Sequence, residues 1–122
     1  MSDAHELISR YIAAWNQTDP AARRAAVDGL WVEDGTYVDP LASVEGREAI
    51  DATIAAVQRQ FPGFEFRLSG PVDAHHNLVR FGWHLGPAGE AESVVDGFDV
   101  AVLTEDGRLR DVHGFLDKVP AA

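Results

Sequence analysis

At 122 residues, 46% of them hydrophobic and 9% aromatic, the chain is long enough to bury one core and too short for two domains, so a single domain over residues 1–122 is expected. Twenty acidic against ten basic residues leave a net charge of −10, which disfavours nucleic-acid and anionic membrane partners. The absence of cysteine excludes disulfides, thiolate metal sites and thiol nucleophiles. No apolar run approaches the roughly 20 residues that span a bilayer, and no basic segment with an apolar core opens the chain, so a cytoplasmic protein is expected.

Asp3 followed by Glu6 signals a helix start. Leu7, Ile8, Tyr11, Ile12 and Trp15 then recur at helical spacing on one face. Asn16-Gln17-Thr18 breaks the pattern, and Asp19-Pro20 restarts it as an N-cap with proline at the first helical position. A second helix is expected from about Pro20 to Leu30, with Ala22, Ala26, Val27 and Leu30 inward and Arg23 and Arg24 in solvent. After Trp31 and the Asp34-Gly35 turn, a short extended segment covers Thr36 to Val38, followed by a loop to Gly46. Arg47 to Gln60 reads as a third helix, with Ile50, Ile54, Val57 and Phe61 sharing a face, and Pro62-Gly63 ends it.

From Phe64 the period changes to two. Phe64, Phe66 and Leu68 alternate with Glu65 and Arg67, Gly70-Pro71 marks an interruption or bulge, and Ala74 to Asn77 is a hairpin turn. The strand Leu78 to Leu85 carries Val79, Phe81, Trp83 and Leu85 on one face and Arg80 and His84 on the other. Glu92 to Thr104 and Arg108 to Lys118 form a further pair through Asp106-Gly107. The Glu92 to Thr104 strand is apolar on both faces, Val94, Phe98, Val100 and Val102 against Val95, Ala101 and Leu103. Helices cover one of these faces, and a second copy of the sheet in a homodimer is the expected cover for the other. The order of elements gives an α+β fold, helices first and a curled antiparallel sheet after them.

Three residues stand out as chemistry. Pro40 holds the backbone of Asp39 extended, which either initiates a turn or aims the carboxylate from the lip of a pocket. Asp99 shares a face with Val95, Ala101 and Leu103; burial there raises a carboxyl's pKa and leaves it able to donate a hydrogen bond, unless backbone or arginine satisfies it as a structural aspartate. Tyr11 lies on the apolar face of the first helix, as core packing or as a phenolic donor. Trp15, Trp31 and Trp83 are core or pocket wall. The adjacent His75 and His76 have no third ligand, and no phosphate loop, dinucleotide fingerprint, serine-hydrolase elbow or His-Glu-x-x-His motif occurs, so neither metal nor cofactor is expected.

Taken together these residues resemble the nuclear-transport-factor-2-like superfamily, and within it the ketosteroid isomerases and SnoaL-like polyketide cyclases. The resemblance is carried by Arg10-Tyr11-Ile12, Tyr37-Val38-Asp39-Pro40, Gly46-Arg47-Glu48-x-Ile50, Gly70-Pro71-Val72 with His76-Asn77, and Phe98-Asp99-Val100 running to Asp106-Gly107-Arg108-Leu109. It implies a cystatin-like α+β cone with three helices in a curved sheet around a pocket. It also implies Asp39 as general base and Tyr11 and Asp99 as donors to an enolate oxygen. Where the isomerases carry further tyrosines, this chain has Trp31 and Ile54.

The expected function is an isomerase-like or cyclase-like enzyme moving a proton alpha to a ketone on a small apolar, steroid- or polyketide-like substrate. Trp15, Trp31, Ile54, Trp83 and Leu116 are the expected pocket walls. Two rivals remain: a non-catalytic domain for apolar-ligand binding or dimerisation, and an epoxide hydrolase that needs Arg80 beside Asp99.

Overall fold

The computed structural model describes residues 3–120. Helices α1 (Asp3–Asn16), α2 (Pro20–Leu30) and α3 (Arg47–Gln60) pack against the strands β1 (Trp31–Asp39), β2 (Ala42–Glu45), β3 (Phe64–His75), β4 (Leu78–Pro87), β5 (Val95–Leu103) and β6 (Leu109–Lys118). The strands form one six-stranded sheet in the order β2-β1-β6-β5-β4-β3. Neighbours are antiparallel apart from β1 and β6, which run parallel. The sheet curls round the helices, and its inward residues meet theirs in one core.

Helix α1 buries Leu7, Ile8, Tyr11, Ile12, Ala14 and Trp15, the face its spacing predicts, and Asp3, expected to cap it, is its first helical residue. At its end Asn16 is clamped to β3, donating to the Phe66 carbonyl at 2.9 Å and accepting the Phe66 N–H at 2.7 Å. Asp19 caps α2 by accepting the Ala22 N–H at 2.9 Å, a contact typically worth about 1 kcal/mol.

Some expectations are corrected. Arg23 is not solvated but 7% exposed, because its guanidinium bonds Asp51 at 2.9 Å and Gln58 at 3.0 Å on α3; Ala22 takes the outward place. A buried charge is tolerable only when paired in this way. The extended segment near Thr36 is a nine-residue strand, and the expected loop to Gly46 contains β2, which hairpins back so that Asp39 pairs with Ala42. Gly70 adopts φ 76° where the β3–β4 register shifts, so the interruption there is a bulge within one strand. No helix among the described residues is long and apolar enough to cross a membrane.

Candidate active site

Between the helices and the concave sheet lies a cavity of about 560 Å³. Apolar side chains from every layer wall it: Ile12 and Trp15 of α1, Val57 of α3, Phe66, Trp83, Leu85, Val95 and Leu116 of the sheet, with Phe61, Leu41 and Val119 nearer the mouth. Five oxygen-bearing side chains, Tyr11, Tyr37, Asp39, Gln60 and Asp99, open into the same space. Of the expected walls, Trp15, Trp83 and Leu116 line it. Trp31 and Ile54 do not, since both are fully buried in the core and so cannot touch a ligand.

Alternation places Asp99 on the inward face of β5, where it is 2% exposed and paired across the ladder with Phe81 on one side and Gly114 on the other. Neither neighbour offers a side-chain polar atom. The Tyr11 phenol reaches it from α1 and donates to Oδ2 at 3.1 Å, while Oδ1 is buried with no partner. Burial pushes the Asp99 carboxyl up to about 7; the nearby Trp83 indole and the Tyr11 hydrogen bond hold it lower than burial alone would, and the Asp39 charge pushes it further up. Burial also drives the Tyr11 phenol well above its ordinary value, with the Asp99 and Tyr37 charges adding to the rise, while the Trp15 indole N–H acts in the opposite direction.

Asp39 ends β1 at the lip of the cavity, half-buried. Its Oδ1 accepts the Leu41 N–H at 2.8 Å, closing the turn that Pro40 imposes, so the turn-forming and cavity-facing roles coincide. Its Oδ2 accepts the Tyr37 phenol at 2.7 Å. Tyr37 is the site residue that sequence reasoning left without a role. The signal was available: residues two apart on a strand share a face, so Tyr37 follows Asp39 inward. Burial and the charges of Asp99 and Asp39 raise the Tyr37 phenol far above its ordinary value, which keeps it a donor.

Gly114 lets the two carboxyls approach. A methyl group there would lie 2.9 Å from Asp99 Oδ1 and 3.3 Å from Asp39 Cβ, so only a glycine of β6 fits between the two aspartates. Arg80 is on the outer face, bonded to Asp73 at 3.1 Å with most of its side chain in solvent. The arginine that epoxide hydrolysis would place beside Asp99 is therefore turned away from it. His84 is also outside, at 2.6 Å from Asp96; the Ser93 hydroxyl, and after it the His84 ring, hold the Asp96 carboxyl below its usual range. Among the described residues no group of three His, Asp or Glu side chains is placed to hold a metal.

Three helices held in a curled sheet around one cavity are the architecture of nuclear-transport-factor-2-like proteins with a cystatin-like fold. A family model for the SnoaL-like domain matches residues 8–112, and the chain belongs to that family. It is similar to a candidate isomerase of the SnoaL-like family from Agrobacterium tumefaciens strain C58, at 41% identity over 96% of this chain and 99% of that one, with a TM-score of 0.90. A candidate SnoaL-like polyketide cyclase from Jannaschia sp. CCS1 shares the fold at 17% identity, covering 96% and 90% of the two chains with a TM-score of 0.71. So does a cystatin-like protein from Silicibacter pomeroyi DSS-3, at 19% identity over 92% and 74% with a TM-score of 0.67. No curated protein matches the chain.

Proposed function

We propose that the protein is an isomerase-like or cyclase-like enzyme that moves a proton alpha to a ketone on a small apolar, steroid- or polyketide-like substrate. The observation that carries this is the convergence of Tyr11, Asp39 and Asp99 on one apolar cavity with two carboxyls in opposed environments. The Asp39 carboxylate, at the lip and held by two donors, takes the alpha proton. As the C–H bond breaks, its electron pair moves into the carbonyl and charge develops on the ketone oxygen. Asp99, neutral below about pH 7, carries a proton with which it can hydrogen-bond that oxygen, and the Tyr11 hydroxyl turns from Asp99 to the same point. Asp39 then returns the proton to another carbon, completing an isomerisation, or the enolate carbon attacks a second carbonyl of the same substrate, closing a ring as the first carbonyl re-forms and the new alkoxide takes the proton back from Asp39. The apolar walls exclude water and strengthen both donors.

The isomerase-like name of the Agrobacterium neighbour, at 41% identity, supports the same class. Exchange of alpha hydrogens of an apolar cyclic ketone such as 2-decalone for deuterium, followed by NMR in D2O, tests it without knowledge of the natural substrate. Asp39→Asn is expected to slow exchange roughly 10²- to 10⁴-fold while the melting temperature holds. Equal exchange by wild type and variant would remove Asp39 from the chemistry.

A further inference from the structure

Asp39 has a donor on each carboxylate oxygen, and the two donors differ in kind. Oδ1 accepts the Leu41 N–H at 2.8 Å, in the exposed turn that follows β1. Oδ2 accepts the Tyr37 hydroxyl at 2.7 Å. Tyr37 and Asp39 stand two residues apart on β1, about 6.6 Å along the strand and on the same face. Both line the cavity, and the long phenol extends along the strand to the carboxylate at its end.

The phenol is held firmly. Tyr37 is 4% exposed, its backbone is paired with Val44 of β2 on one side and Val112 of β6 on the other, and its ring packs against Trp15 at 5.4 Å between centroids. Burial and the neighbouring carboxylates raise it far above its ordinary value, so it stays a donor. Leu41, by contrast, is 83% exposed at the tip of a turn. The torsion that turns a carboxylate about its Cβ–Cγ bond is broad, so one contact at Oδ1 leaves the Asp39 carboxylate free to pivot. A second contact at Oδ2, from a buried and packed ring, fixes its plane.

We propose that Tyr37 is the positioning residue of the base: its hydroxyl fixes the plane of the Asp39 carboxylate at the cavity wall and stabilises the charged form that takes the alpha proton. This deepens the proton-transfer function above and rests on it. A hydrogen bond to a charged acceptor is roughly twice as strong as one to a neutral acceptor, so the Tyr37 bond weakens when Asp39 gains the alpha proton and strengthens when that proton leaves. The phenol therefore favours return of the proton to the substrate, the second half of the reaction. Tyr37 keeps its own proton throughout.

The test is exchange of the alpha hydrogens of 2-decalone in D2O, followed by NMR over a range of ketone concentrations. Wild type is compared with Tyr37→Phe and with protein carrying 3-fluorotyrosine at position 37 alone. Tyr37→Phe keeps the packed ring and deletes the donor; it is expected to lower kcat about ten- to a hundredfold while KM and the melting temperature hold. The fluorinated ring keeps the donor but makes it more acidic, which leaves the carboxylate a weaker base. Its kcat is expected to fall between those of wild type and Tyr37→Phe. A Tyr37→Phe variant with unchanged kcat, or with a raised KM alone, would make Tyr37 a packing residue and overturn the proposal. So would a 3-fluorotyrosine protein that exchanges as fast as wild type, an observation that does not depend on Tyr37→Phe folding. If Asp39→Asn stops exchange while Tyr37→Phe matches wild type, only the role of Tyr37 fails. If wild type and Asp39→Asn exchange equally, the proton-transfer function fails and Tyr37 with it.

Discussion

Asp99 binds its proton more tightly in the folded protein than in the unfolded chain, since burial lifts its carboxyl from 3.8 to about 7. Between those values the native state holds more protons than the unfolded state, so this residue's contribution to stability is whole below about pH 4 and is lost as pH rises to about 7. The full loss is on the order of 4 kcal/mol. Asp99→Asn keeps a donor and the shape of the side chain but cannot ionise. Urea midpoints of wild type and variant are expected to agree near pH 4 and to diverge, the variant becoming the more stable, up to about pH 7. A constant difference across that range would mean that Asp99 does not titrate in the folded state within it. Turnover is expected to decline above about pH 7 for the same reason, as the donor is lost. At this scale the sequence is informative about which side chains face inward: alternation put Asp99 among Val95 and Ala101, and helical spacing put Tyr11 and Trp15 together. It is silent about partners. Nothing in the order of residues tells that Tyr37 would bond Asp39, or that the Trp15 N–H would be left unpaired, because both facts depend on distances between elements.

Strand pairing explains why a glycine sits within β5. Gly97 lies opposite Trp83 on β4, and the indole folds over it so closely that an added Cβ would meet Trp83 Cζ2 at 2.0 Å. The ring is 8% exposed and rigid, so it has no flexible end to withdraw. Gly97→Ala is expected to displace Trp83 from the cavity wall and cost roughly 1–3 kcal/mol, read as a lower urea midpoint with an unchanged slope. An unaltered midpoint would show that the ring does not depend on this glycine. The elements themselves were largely legible, because α1, α2, α3 and the long strands carry enough turns or alternations to set a period. The four residues of β2 do not: Ala42-Ser43-Val44-Glu45 gives one alternation, and only pairing with β1 makes it a strand. Arg23 was misplaced for a related reason. Its position in the helical period is inward, but a cation is assigned to solvent unless its partner is known, and Asp51 and Gln58 come from a helix more than twenty residues away.

At the scale of the molecule, the helices cover only the concave side of the sheet. Phe98, Val100 and Val102 of β5 are half-buried on the convex side, and Phe115 of β6, paired with Phe98, is 57% exposed. We propose that a second copy of the chain covers this side, forming a homodimer. Its centre is apolar, as an obligate interface requires, while Arg80 with Asp73 and His84 with Asp96 lie in pairs beside it and cost little to approach. Phe115→Glu is expected to halve the mass seen by light scattering without altering the circular dichroism spectrum. A wild-type protein that scatters as a single chain would overturn this.

The sequence by itself determined the α+β class and the order of helices and strands, because local periodicity and turn chemistry act between near neighbours, and its family resemblance singled out the two aspartates and the phenol. Only the tertiary structure decided what those residues do to one another. Asp39 is fixed by Tyr37 and by its own turn, Asp99 is left with one oxygen unpaired, Gly114 sets the gap between them, and Trp31 and Ile54 withdraw into the core. Each of these is a matter of a few ångströms between segments far apart in the chain. The curl of the sheet around α1 and α3 fixes those distances; the order of residues does not.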